Sequence, residues 1–384
     1  MTEPRSLDIA AYGVSRVRGF VPDVEPLDAL PPGFAAWDEI VPILPALIMN
    51  RQARRWIAGI PELDASALAG EGEQERACLI LSALTMAHVW CGAEPDFTLP
   101  RNIATPFLAV SRRLGRPPIV MHATLVLNNW RRLDRSRPLA LDNVDTQFTF
   151  TGSFDEKWFY LATLGVELAG APAVVALANA VAASETGDEA ALAMHLAALE
   201  TGIRQMTAAL MRMAESCDPY VFYHRIRPFL AGWPAPGVVY AGADTPPQVF
   251  AGGSAAQSAL LQSVDAALGI RHEHAATRDF LEAMLQYMPR KHRAFVAALR
   301  RRSSIRERAS RGTPRLHEAY NACIAAADAF RRKHIGLTSQ YIVKQAARDP
   351  GSDPAGPGTT GTGGTDFVEF LRESRVETAR AQLK

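Results

Sequence analysis

His334 stands in the run Ala327-Asp328-Ala329-Phe330-Arg331-Arg332-Lys333-His334-Ile335-Gly336-Leu337, directly behind three basic residues. Tyr320, Cys323, Ile324, Ala327, Phe330, His334, Leu337 and Tyr341 recur at steps of three and four, the spacing of one helix face. The pattern sets an imidazole on a buried face with guanidinium groups beside it. Holding a haem takes that combination: a neutral nitrogen for the iron, an apolar slot for the macrocycle, and cations at the rim for the propionates. A lone histidine on an apolar helix face is more often an ordinary core residue, so the rest of the chain has to decide.

Three further segments offer groups for a pocket. Val221 to Trp233 interleaves Phe222, Tyr223 and Phe229 with Arg225 and Arg227, and an arginine among aromatics suits a zwitterionic aromatic ligand whose carboxylate it takes in bidentate fashion. The plain alternative is an exposed basic helix face. Phe250-Ala251-Gly252-Gly253-Ser254-Ala255-Ala256-Gln257-Ser258 strings small residues together, which lets backbone approach a flat ligand closely. It is not a dinucleotide fingerprint, because the third glycine is missing and no strand clearly precedes it. The helix that follows carries Asp265, a candidate partner for Arg331. In Lys157 to Glu167, Phe159 and Thr163 share a helix face at i, i+4. Ordinary helix packing around a glycine turn explains these last two segments equally well when each is taken alone.

The elements that must position these groups read as mostly helical. The clearest helix begins at the N-cap candidate Asp188 and runs to about Ser216. Its ladder of Leu192, Leu196, Leu199, Ile203, Met206, Leu210 and Met213 is core packing with no chemistry assigned. Prolines at 22, 26, 31, 32, 42, 45 and 61 predict short helices in the first hundred residues. The punctuated stretch Arg135–Gly152 marks a boundary between a smaller N-terminal helical domain, 1–147, and a large helical domain, 148–384. The Pro/Gly segment Gly232–Gly253 reads as a loop. A mobile loop at 349–364 joins the His334 helix to a last helix from Asp366 to about Gln382.

Composition narrows the function classes. Lys plus Arg number 41 against 40 Asp plus Glu, a balance that argues against a nucleic-acid or membrane-surface partner. The four cysteines are widely spaced with no C-x-x-C pair, which excludes a zinc knuckle and suggests reduced thiols. The N-terminus has no apolar leader, and Pro172 and Asn179 break the small apolar run Ala169–Ala183, which is too short to span a bilayer. The expectation is a soluble cytoplasmic protein.

Several stretches together resemble the indoleamine 2,3-dioxygenase family. They are Leu99-Pro100-Arg101-Asn102-Ile103-Ala104, Asn129-Trp130, Leu230-Ala231-Gly232-Trp233, Phe250-Ala251-Gly252-Gly253-Ser254-Ala255, Tyr287-Met288-Pro289 with His292-Arg293, the His334 helix ending in Tyr341-Ile342, and Gly361-Thr362-Gly363-Gly364-Thr365-Asp366. The resemblance implies an all-α haem enzyme that adds dioxygen across indole C2=C3 of L-tryptophan or a related indole, giving N-formylkynurenine. It implies haem b, with His334 as proximal iron ligand and Arg331 and Asp265 paired near a propionate. Phe159, Phe222 and Arg227 match distal-pocket residues, Arg227 recognising the substrate carboxylate. Ser254 and Ala255 match small residues that line the haem. Gly361 to Thr365 match a loop that closes over substrate, with Thr362, Gly363 and Thr365 near it. Thr163 stands where serine is usual and Tyr223 where phenylalanine is usual. His122 stands where tyrosine is usual at the deep end of the pocket, with Leu125 nearby in place of cysteine. The implied partners are an indole substrate, dioxygen and an electron donor that keeps the iron ferrous, acting on a monomer. Two rivals remain at this point: a haem protein of another activity, peroxidase-like with His122 or His224 as distal acid–base, or a sensor; and a non-catalytic indole-binding scaffold.

Overall fold

The computed structural model describes residues 7–348, 361–362 and 366–384. The fold is all-α with two small sheets among the described residues. Short helices, Ala35–Ile40, Leu44–Met49 and Ala53–Gly59, occupy the proline-rich start as expected. The expectation fails after Pro61. No proline occurs between Pro61 and Pro95, and a 20-residue helix, α1 (Glu71–Trp90), forms there, buried along most of its length. A second helix, α2 (Arg101–Leu114), follows and ends at Gly115 in the left-handed conformation.

The remaining long helices are α3 (Phe154–Ala169), α4 (Ala171–Thr186), α5 (Glu189–Met211), α6 (Ala259–Leu268), α7 (Ala275–Leu285), α8 (Arg290–Arg302), α9 (Pro314–Thr338) and α10 (Phe367–Arg380). Local chemistry starts them. Asp188 accepts the Ala191 N–H at 2.9 Å and starts α5, Thr313 caps α9 with Pro314 in its first turn, and Asp366 accepts the Val368 N–H at 3.0 Å to start α10. Together α3 and α4 make a 33-residue stretch apolar enough by composition to cross a membrane, longer than the run judged too short from sequence. Two-thirds of its most apolar window (67%) is buried inside the fold, as in the core helices of a globular protein.

Helix α5 packs between α4 and α9, and its ladder faces them. The apolar residues gather in two clusters. One is built on α1, α2 and α3 with the Phe222–Tyr240 segment. The other is built on α4, α5, α6, α8 and α9, with Leu7, Ile9, Val14 and Phe20 packed into it.

The segment read as a Pro/Gly loop contains strands. β1 (Thr98–Leu99), β2 (Trp233–Tyr240) and β3 (Gln248–Phe250) form a sheet in that order, with Thr98 beside Val239 in parallel and Trp233 opposite Phe250 in antiparallel register. Prolines and glycines hid β2 from the sequence, because an irregular edge of this kind tolerates both. A strand therefore does precede the Gly252-Gly253 turn, although a short 3₁₀ turn, not a long helix, follows it.

Candidate active site

A cavity of about 280 Å³, lined mainly by aliphatic and aromatic side chains, lies where α3, α5, α9, α10 and the turns of the small sheet converge. Among the described residues, three π-helical turns, Ala123–Leu127, Phe222–Ile226 and Ser339–Val343, each contribute to its wall. A π turn places one extra residue per turn, a device that often reshapes a helix at a functional site.

His334 sits in the wall on α9, and every other residue of its stripe is buried. Its ring lies 6.4 Å from that of Phe330 and makes no hydrogen bond to a described residue, while its carbonyl accepts from the Thr338 hydroxyl at 2.8 Å. Burial, with the Arg331 charge adding to it, lowers the imidazole to about 4, so it is neutral at ordinary pH. One turn earlier, buried Arg331 donates from Nη2 to both Asp265 oxygens, at 2.8 and 2.6 Å, and from Nε to Ser374 at 3.1 Å. Its Nη1 has no hydrogen-bond partner. Arg331 and Asp265 stand behind the cavity wall and are not among its lining residues. Asp265 also meets His272 Nε2 at 3.1 Å, and His272 Nδ1 meets Glu377 of α10 at 2.8 Å. Burial alone would raise the Asp265 carboxyl; the Arg331 charge and the His272 contact outweigh it and hold it low.

On the opposite wall Phe159 and Phe222 meet at 4.8 Å between ring centres, and Phe222 packs edge-on to Tyr341 at 5.8 Å. Arg227 is fully buried in the wall with its guanidinium 5.4 Å from the Tyr223 ring centre; Tyr223 itself lies outside the lining, as does His224. Thr163 lines the cavity and donates its hydroxyl hydrogen to the Phe159 carbonyl at 2.7 Å, which leaves its lone pairs facing other partners.

The glycine turn is held by close backbone contacts. A Cβ on Gly252 would lie 2.1 Å from the Leu230 carbonyl oxygen, so only glycine fits there. Gly253 N–H donates to Leu230 O at 3.0 Å. Gly252 N–H donates to Thr362 O at 2.8 Å, and the Thr362 hydroxyl donates to Gly253 O at 2.6 Å. Ser254 caps the following turn, accepting from Ala256 N–H at 3.2 Å, and lines the cavity with Ala255, Gly361 and Thr362. Gly363, Thr365 and most of the 349–364 loop lie outside the described residues.

Leu125 and His122 line the cavity as well, and here polar groups cluster. His122 Nε2 lies 2.9 Å from Glu167 Oε1, and the Ser258 hydroxyl donates to that same oxygen at 2.5 Å. Glu167 Oε2 is buried without a hydrogen-bond partner.

With this geometry in hand, the chain can be set beside known proteins. The family model described as indoleamine 2,3-dioxygenase matches residues 8–381. The chain belongs to the indoleamine 2,3-dioxygenase family. It is 38% identical over 394 residues to indoleamine 2,3-dioxygenase 2 of Homo sapiens, covering 98% of this chain and 96% of that one. It is 35% identical over 373 residues to indoleamine 2,3-dioxygenase 1 of Rattus norvegicus, covering 93% and 92%. A protein of Fusarium equiseti named 6-hydroxytryptophan 2,3-dioxygenase is 34% identical over 392 residues, covering 96% of each chain.

Indoleamine 2,3-dioxygenases are haem enzymes, and the residues present fit that group. A neutral imidazole with no hydrogen bond to a described residue stands in a largely apolar cavity wall, and a buried arginine nitrogen one turn away lacks an acceptor. Sequence reading missed part of this wall. Met206, Leu210 and Met213, assigned to plain core, line the cavity with Phe280, Phe367, Phe370 and Leu371. The end of an apolar ladder looks the same whether it meets another helix or a ligand. Glu167 and Ser258 were also missed, although Glu167 stands four residues beyond Thr163 on the same face.

Proposed function

We propose that this indoleamine 2,3-dioxygenase family member binds haem b through His334 and opens the indole ring of L-tryptophan or a close analogue, with dioxygen as co-substrate. The carrying observation is the His334 imidazole: neutral, without a hydrogen bond to any described residue, and set in the wall of a largely apolar cavity. The four cysteines are free and buried, so they offer no competing ligand in the cavity wall. Haem held by His334 would supply the redox chemistry that lets dioxygen add across the indole C2=C3 bond.

The chain's own residues bind and orient. Arg227, buried in the wall, takes the substrate carboxylate through two parallel N–H donors. Thr163 has its hydrogen committed to the Phe159 carbonyl, so it accepts from the indole N–H and does not donate. Phe159, Phe222 and Leu125 enclose the ring and keep water out, and proximity supplies much of the rate. Ser254 and Ala255 leave room for a flat ligand, and the Gly361–Thr362 segment pinned on Gly252 and Gly253 closes one edge. No protein base is needed. A cytoplasmic monomer served by a separate electron donor completes the proposal. The test is to mix haem-loaded, reduced protein with L-tryptophan in air and follow absorbance of N-formylkynurenine. Product formation is expected; a protein that binds haem and tryptophan yet consumes no dioxygen would be a binding scaffold.

A further inference from the structure

The cavity has two polar ends. Phe159, Thr163 and Glu167 succeed one another at four-residue steps on one face of α3, so Glu167 lies about 12 Å along the helix from Phe159. Phe159 touches Phe222, which belongs to the Arg227 segment. Glu167 touches His122 and Ser258 at the other end. A substrate held by its carboxylate at Arg227 therefore points its ring toward His122.

That second end holds a buried acceptor with no donor. The Ser258 hydroxyl and His122 Nε2 both converge on Glu167 Oε1. Glu167 Oε2 is buried with no donor. With Nε2–H directed at the carboxylate, Nδ1 is the ring nitrogen left without a hydrogen bond to a described residue. Glu167 thus holds His122 in one tautomer, as a carboxylate orients an imidazole in a metal site or a hydrolase. Buried acceptors in an otherwise apolar wall are costly unless a ligand brings the missing donor.

We propose that His122, Glu167 and Ser258 form a subsite for a hydroxyl on the benzo ring of the indole, which makes ring-hydroxylated tryptophans the preferred substrates of this chain. The inference rests on the dioxygenase reading. A site built to hydrogen-bond a substrate hydroxyl discriminates against the analogue lacking it far more strongly than an apolar pocket discriminates for size, so a preference of about tenfold or more is expected.

The test compares kcat/KM for L-tryptophan, 5-hydroxy-L-tryptophan and 6-hydroxy-L-tryptophan in the haem-loaded wild type and in His122→Phe, with calorimetric Kd values for the same ligands. At least one hydroxylated substrate should exceed tryptophan by about tenfold or more in the wild type, and the advantage should fall to within about threefold in His122→Phe. If His122→Phe fails to fold, Glu167→Gln serves instead and should lower the same ratio, because an amide offers the subsite a donor of its own. No preference for either isomer in the wild type, or a preference that both variants keep, overturns the proposal. Cleavage of tryptophan without a hydroxyl preference leaves the dioxygenase reading intact. Haem-loaded protein that opens none of the three rings overturns both.

Discussion

His334 and His272 flank the same arginine and fare differently. His334 shares α9 with Arg331 and is surrounded by apolar side chains, so burial and the neighbouring positive charge both push its proton off. His272 reaches Arg331 only through Asp265, and it is clasped from its other side by Glu377. Burial alone would lower His272 too, but the hydrogen bond and charge of Asp265, helped by Glu377, outweigh it and raise the imidazole above its ordinary value. One ring is left a neutral base with an unused lone pair. The other is held toward its protonated form by two carboxylates and ties α6 to α10. The comparison shows that carboxylate partners, more than depth of burial, decide which histidine can serve as a ligand.

The sharpest way to break the contrast is to remove the proposed ligand. His334→Ala should abolish haem binding, read as loss of the Soret band on reconstitution with hemin. A wild-type spectrum from that variant would remove the reason for separating the two histidines. The next effect in size belongs to the shared pair. Asp265→Ala leaves buried Arg331 and His272 without their common carboxylate, and loss of one partner from a buried pair costs about 3–5 kcal/mol. Urea unfolding should show that loss. The same variant should weaken haem retention less than His334→Ala does, because its imidazole ligand is still in place.

How much of this was readable beforehand follows from chain distance. The His334 stripe, the α5 cap at Asp188 and the start of α10 near Asp366 were legible because each is written within one or two helical turns. The Arg331–Asp265 pair, 66 residues apart, could be offered from the sequence only as a candidate, and its place beside a propionate came from family resemblance. The His122–Glu167 contact spans 45 residues and the Ser258–Glu167 contact 91, and nothing local in those stretches announces either. The π turns were invisible for another reason: an extra residue in a turn depends on packing and not on propensity. Tyr223 shows the reverse limit. Its motif pointed to the substrate pocket, but its ring backs Arg227 from outside the lining.

A smaller effect separates ligand binding from haem binding. Arg227→Ala should leave the Soret band in place and raise the apparent KM for L-tryptophan, with a loss of about 2–5 kcal/mol for one charged bidentate contact. Normal tryptophan affinity in that variant would reassign the carboxylate to another group.

The smallest effect tests that tie itself. Because the His272 imidazole is raised in the folded protein, its stabilising contribution is complete below the ordinary value of 6.5 and is lost as pH rises through the higher folded value. The charged groups facing it are Asp265 of α6, Glu377 of α10 and, through Asp265, Arg331 of α9. Glu377 also accepts the backbone N–H groups of Glu273 and His274, each at 2.7 Å, so the same carboxylate anchors α10 to the start of α7. Urea unfolding of the wild type and His272→Gln from pH 5 to about pH 9 should show the wild type's advantage greatest at the acidic end and shrinking with rising pH. His334 titrates in the opposite sense, since its lowered value removes stability as pH falls, but it is common to both proteins and cancels in the difference. A wild-type advantage that grew with pH would mean that His272 is neutral in the fold, and the distinction between the two histidines would then have to rest on geometry alone.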